Sequence, residues 1–274
     1  MIGRILGTIF GFMFGRILGA VLGYFIGHMF DKGYSKNFDQ SGGFNRFFAS
    51  KDEFQSQAIF FHCLFSVMGH IAKADGKVSE VEIRMASALM DQMNLTGEVR
   101  AEAQQAFRDG KQENFALKQT VMEFKESCHG RRDILQVYLE ILIQAAYVDG
   151  KLDKTEHAIL ESVAQFLGFS QHNLLYLMSA FEAEMRFRQG NKQHGNGQQY
   201  STQQSLDDAY KILGVSKDQD DKSIKKAYRK LMSEHHPDKL VSKGLPKQAL
   251  ELAKNKTQDI QSAYEMIKEK RGFR

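Results

Sequence analysis

Seven glycines at strict four-residue spacing, Gly3, Gly7, Gly11, Gly15, Gly19, Gly23 and Gly27, run through an otherwise apolar stretch at the start of the chain. In water such a helix is poor, since each interior glycine costs about 1 kcal/mol relative to alanine. In lipid the same spacing lets two helix backbones approach closely. Residues 5–30 carry one charge, Arg16, and at about 1.5 Å rise per residue they are long enough to cross a hydrocarbon core. The glycine line drifts about 40° per step around an ideal helix, which predicts right-handed crossing and a homodimer through this face. Arg16 either snorkels to the interface or sits in the dimer contact, and the sequence leaves both open. A cleaved secretory signal is the competing reading. Arg16 splits its apolar core and no small-x-small site follows Phe30, so a retained anchor is preferred. Lys32, Lys36, Arg46 and Lys51 follow the span while Arg4 precedes it, which places residues 1–4 outside and the bulk of the chain in the cytoplasm.

The rest of the 274 residues reads as helix. Two prolines leave long helices uninterrupted and β-branched runs are scarce, so the fold class is all-α. Cys63 and Cys128 form no C-x-x-C pattern, which argues against a zinc ribbon or disulfide framework and suits a reducing compartment. Both read as buried apolar fillers. The net charge of +4 is uneven, because residues 205–274 alone carry +5. The partner of that basic end should be an acidic protein surface, and nucleic acid is not expected.

After a connector at 31–52, residues 53–187 form a helical domain containing a repeat. Ala72-Lys73-Ala74-Asp75-Gly76-Lys77-Val78-Ser79-Glu80-Val81-Glu82 aligns with Ala146-Tyr147-Val148-Asp149-Gly150-Lys151-Leu152-Asp153-Lys154-Thr155-Glu156. Two readings compete for these turns. Asp75, Glu82, Asp149 and Glu156 are candidate cation ligands. Alternatively glycine ends one helix, and Ser79 with Glu82, or Asp153 with Glu156, forms a capping box on the next. Capping explains every residue except the aspartates and is preferred, and the spacing lacks the alternating acidic ligands of an EF-hand. The scattered histidines, His62, His70, His129, His157 and His172, read as surface or satisfied core groups.

Residues 188–204 contain no aliphatic side chain and are expected to be a flexible linker. The module at 205–274 then opens with Asp207 and Asp208 at a helix start and Gly214 at its stop. A second helix follows, with Ile224, Ala227, Tyr228 and Leu231 on one face and Lys222, Lys225, Lys226, Arg229 and Lys230 over much of the rest. Pro237 ends it, and the chain turns at His236-Pro237-Asp238. A third helix runs from near Pro246 to Lys270, with Leu250, Ala253, Ile260, Ala263, Tyr264 and Ile267 facing inward.

The basic helix, the His-Pro-Asp turn, the Tyr-x-x-Leu-Gly-Val opening and Ala263-Tyr264 together resemble a J-domain, the module by which DnaJ-like co-chaperones switch on the ATPase of a DnaK-type chaperone. The duplicated acidic turns resemble the TerB-like domain of tellurite-resistance proteins, which implies a helical bundle with metal binding. In order, the whole chain resembles the DjlA family of membrane-anchored DnaJ-like proteins from Gram-negative bacteria. That resemblance implies an inner-membrane protein with a periplasmic end and a cytoplasmic J-domain. It implies that Lys222, Lys225, Lys226, Arg229 and Lys230 steer docking on an acidic DnaK surface. Asp238 then makes the charged trigger contact, Pro237 holds the turn and His236 orients it. The ATP chemistry belongs to DnaK, so no catalytic residue, enzyme activity or cofactor is expected in this chain. The family is linked to envelope-stress and capsule signalling. Unlike full-length DnaJ, the module stands last, with no Gly/Phe-rich segment after it and no cysteine-rich zinc region, which favours a regulatory co-chaperone. The alternative is a metal- or stress-sensing membrane protein with an accessory J-domain.

Overall fold

A computed structural model describes residues 51–74, 76, 79–147, 152–193 and 202–273. The expected membrane helix with its glycine line lies outside the described residues, as do Asp75 and Asp149. Among the described residues there is no strand, and no helix is long and apolar enough to cross a membrane.

The central domain is built on α1 (Lys51–Ala72), which α2 (Glu80–Gln92), α3 (Gly97–Gly110), α4 (Leu117–Ser127), α5 (Arg132–Ala146) and α6 (Lys154–Leu167) surround. Phe60, Phe61, Leu64, Phe65 and Val67 of α1 are each 1% exposed or less. From Ala58 onward the helix is therefore apolar nearly all round, as a helix enclosed by others must be. Phe60, Phe124 and Tyr138 meet at its middle, with the last two rings 4.4 Å apart. Tyr138 donates its hydroxyl to the Cys63 carbonyl at 3.3 Å and also contacts the Cys63 thiol at 3.0 Å. Burial pushes the Cys63 thiol up to about 12 and the Cys128 thiol up to about 11. Neither is a nucleophile at neutral pH, and both are free and buried, as the sequence indicated.

At the crossing of α1 and α3 the two backbones touch. A Cβ on Gly69 would lie 2.1 Å from the Phe107 carbonyl oxygen, and one on Gly110 would lie 1.8 Å from that of Ser66. No side chain fits at either place.

The long helix α7 (Gln171–Gln193) closes the domain and continues past residue 187. Residues 188–193, expected in the linker, are thus helical. The terminal module comprises α8 (Thr202–Ile212), α9 (Asp221–His235), the short α10 (Pro237–Ser242), a 3-10 turn at Lys247–Ala249, and α11 (Leu250–Arg271). Its core joins Leu206, Ala209, Leu213, Ile224, Ile260, Ala263 and Ile267, and Tyr228 stacks on Tyr264 at 4.0 Å. Ala183 and Phe187 of α7 belong to that same core. The module is therefore docked on the central domain through α7. Arg188 is polar because α7 turns it toward the module there, not because the chain is unfolded: it donates to Asp259 at 2.8 Å.

Candidate functional site

Local sequence forms the turn at the end of α9. Asp220 caps the start of that helix by accepting the Ser223 amide at 2.9 Å. His235 is its last residue, and His236 leaves the helix in an extended conformation, as a residue before proline must. Pro237 then opens α10 at the position where its missing N–H costs nothing. The Asp238 amide donates to His236 Nδ1 at 3.2 Å, so His236 caps the helix that follows it. With Nδ1 accepting, the proton of the neutral ring sits on Nε2. Leu240, fully buried, pins α10 to the module, and Lys239 Nζ donates to Ser233 Oγ at 2.7 Å across the turn.

This construction leaves two of the candidate side chains outside. His236 and Asp238 are exposed, and Pro237 is half-buried. Along α9, Lys222, Lys226, Arg229 and Lys230 are exposed, while Lys225 is half-buried with its ammonium 5.1 Å from the centre of the Phe273 ring. Lys230 lies 3.8 Å from Glu234 and lines a cleft of about 520 Å³ that Asp133, Gln136 and Tyr176 border from the central domain. The five cations and the turn thus occupy one helix and its continuation.

The acidic turns of the central domain behave as caps. The Ser79 amide donates to Glu82 and the Glu82 amide to Ser79 Oγ at 3.2 Å; Asp153 and Glu156 reciprocate in the same way at 3.0 and 2.9 Å. Gly76 adopts φ +92, the left-handed conformation that ends the preceding turn. Each box contributes about 1 kcal/mol of helix stability. Hydrogen bonds from the Glu156 amide, and then from Thr155, hold the Asp153 carboxyl below the usual range despite some burial. Glu82 and Glu156 border the same cavity of about 20 Å³. Among the described residues no group of three or more His, Cys, Asp or Glu side chains is placed to hold a metal.

Three family descriptions match the chain. Co-chaperone DjlA transmembrane domain covers residues 1–37, Tellurite resistance protein TerB covers 62–177, and DnaJ domain covers 208–272. Co-chaperone protein DjlA of Photobacterium profundum is 48% identical over 243 residues, 87% of this chain and 88% of the relative. The protein of the same name from Shewanella oneidensis is 50% identical over 221 residues, 80% of each chain. This chain belongs to the DjlA co-chaperone family. A third DjlA relative, from Yersinia pestis, is 45% identical over 236 residues, 83% of this chain and 84% of its own. No solved structure matches the sequence. The DjlA assignment makes the module at the end of the chain a J-domain and makes the chain membrane-anchored through the segment that contains the glycine line.

Within this DjlA chain, sequence reasoning missed the group of charges beneath the turn. Glu140 and Glu184 of the central domain face His235 and Lys256 of the J-domain. The available signal was a carboxylate on an otherwise apolar helix face, as at Glu184, which lies between the buried Ala183 and Phe187.

Proposed function

We propose that the chain is a regulatory co-chaperone that stimulates ATP hydrolysis by a DnaK-type chaperone at the cytoplasmic face of the inner membrane. The observation that carries this reading is the His236-Pro237-Asp238 turn, capped and braced with His236 and Asp238 exposed, at the end of a helix bearing five cations. The cations supply long-range attraction to an acidic partner and orient its approach. The turn supplies the short-range contact, with the Asp238 carboxylate as its charged tip. The chain offers control rather than chemistry, because hydrolysis needs only the partner's own nucleotide site. Envelope-stress or capsule signalling is the pathway in which the reading places that control. Cation sensing by the central domain has less support, since Glu82 and Glu156 act as helix caps.

The test is single-turnover ATP hydrolysis by a DnaK-type chaperone, with and without the full-length chain in lipid nanodiscs. Acceleration that weakens as salt rises is the expected result, because steering charges are screened over about 10 Å at ordinary ionic strength. A hydrolysis rate indifferent to the chain sinks the proposal.

The glycine line adds a second element, a homodimer through the membrane span with the amino terminus periplasmic. Leucine at Gly11, Gly15 and Gly19 together fills the groove that close backbone approach requires. The triple variant is expected to lose self-association in a membrane two-hybrid assay. Undiminished association would move the dimer contact elsewhere.

A further inference from the structure

The His-Pro-Asp turn is gripped on both sides by one helix of the central domain. Before the turn, His235 Nε2 lies 3.1 Å from each carboxylate oxygen of Glu140 on α5. After it, Lys243 pairs with Asp133, and the Lys243 carbonyl accepts from Arg131 Nη1 at 2.6 Å. Asp133 and Glu140 are seven residues apart, two helical turns, and so share a face of α5. Gly244, at φ +93, lets the chain pass the Arg131 guanidinium, where a Cβ would sit 2.6 Å from Nη1.

The contact at His235 is largely withdrawn from water. Its side chain is 3% exposed, Glu140 is 15%, Glu184 is 4% and Lys256 is 17%. His235 Nδ1 faces the Leu231 carbonyl at 3.0 Å. A carbonyl and a carboxylate only accept, so both ring nitrogens donate and the ring is an imidazolium. Gln136 donates to the same Glu140 carboxylate at 3.0 Å, and Lys256 lies 3.8 Å from it while also pairing with Glu184. Two acids from the central domain thus meet two bases from the J-domain. Buried pairs of this kind add little net stability, but any displacement strands a charge, so they permit one arrangement.

We infer that Glu140 and Asp133 are positioning residues for the His-Pro-Asp turn, clamping it through His235 and Lys243, with Lys256 and Glu184 bracing the Glu140 carboxylate. The inference rests on the co-chaperone reading above. The clamp orients the trigger without covering it, since His236 and Asp238 stay exposed while their neighbours are held. It fixes the last turn of α9, and with it the direction in which His236 leaves that helix. A partner then meets a turn already in one conformation, and the cost of ordering it on binding is avoided.

Burial pushes the His235 ring down from its ordinary value of 6.5, but Glu140 opposite pulls it above that value. Burial likewise raises the Glu140 carboxyl, and Lys256 first and then His235 outweigh it, holding Glu140 at about 2. Glu184 faces Lys256 with fewer donors, so burial prevails and its carboxyl is raised. Tyr176, half-buried beside them, completes the groups facing this contact from α7. The clamp is therefore complete below 6.5, the unfolded value of the histidine, and is lost as pH rises through its higher folded value. Glu140 remains ionised across that window.

The experiment uses the full-length chain in nanodiscs with a DnaK-type chaperone, measuring single-turnover hydrolysis against chain concentration and pH. Glu140→Gln is expected to lower maximal stimulation about tenfold, the scale of one lost charge-assisted hydrogen bond. The half-saturating concentration should move less than about twofold, because the basic face is untouched. His235→Gln, which keeps a donor toward Glu140 but does not titrate, should abolish the decline in maximal stimulation that wild type shows at alkaline pH. Unchanged or increased maximal stimulation in Glu140→Gln overturns the clamp, as does an identical pH profile in His235→Gln. Should Glu140→Gln prove unfolded by circular dichroism, the His235→Gln profile decides alone. A wild-type chain that stimulates nothing would instead remove the co-chaperone reading. The clamp is then judged by nitrogen NMR of the His235 ring near neutral pH, where two protonated nitrogens support it and one overturns it.

Discussion

His236→Gln is expected to reduce stimulation of a DnaK-type chaperone at least tenfold, an effect worth about 1.4 kcal/mol or more at the trigger contact. The imidazole caps the next helix in a way that glutamine cannot reproduce. Its Nδ1 accepts the Asp238 amide and so caps α10, a helix of only six residues. The rigid ring holds Nδ1 three bonds from Cα, the reach of an asparagine or aspartate cap, whereas the glutamine oxygen is a bond further out on a flexible chain and glutamine is not among the favoured N-cap residues. Losing the cap frees the first turn of α10, which carries Asp238, the charged tip of the site. Leu240 remains buried and the module core is untouched, so the variant should fold. Circular dichroism should match wild type while the single-turnover rate falls toward that of the chaperone alone. Wild-type stimulation in a folded His236→Gln chain would remove the trigger assignment.

The largest expected effect on stability lies at the α1–α3 crossing. Gly110→Ala places a Cβ 1.8 Å from the Ser66 carbonyl oxygen, and the obstacle is backbone, which no rotamer change can clear. The helices must separate along a crossing whose other contact, Gly69 against Phe107, is just as close. Overpacking of a rigid contact costs about 3 kcal/mol or more, a large part of the ~5–15 kcal/mol that stabilises a typical domain. Urea denaturation of the full-length chain followed by circular dichroism should show this loss. Gly97→Ala is the control, since it has φ +56 but nothing within 4 Å, and should cost only about 1 kcal/mol of backbone strain. Equal losses in the two variants would mean that the crossing relaxes freely. Because Gly69 and Gly110 guard one contact, Gly69→Ala added to Gly110→Ala should cost much less than the sum of the two.

Short-range hydrogen bonding made much of this site legible. The capping boxes at Ser79 and Asp153 and the break at Pro237 each link residues no more than three or four apart. The inward faces of α9 and α11 followed from helical periodicity in the same way, and Ile224, Ile260, Ala263 and Ile267 are buried as that periodicity required. The linker was misread at its edges for a related reason. Residues 188–193 lack aliphatic side chains, and composition cannot distinguish an unfolded polar segment from a helix whose polar groups are paired. Arg188 with Asp259 is such a pairing, across 71 residues.

By itself, then, the sequence determined the all-α class, the DjlA family, the membrane anchor, the two capping boxes and the His-Pro-Asp turn, because each rests on residue order within a few helical turns. Tertiary structure decided what those residues rest upon. Phe187 enters the core of the J-domain, Gly69 and Gly110 bring two backbones into contact, and Glu140 meets His235 across 95 residues. An isolated glutamate on a helix looks like a solvated charge until packing removes the water and supplies a cation. That choice depends on how the helices pack, which no local spacing records.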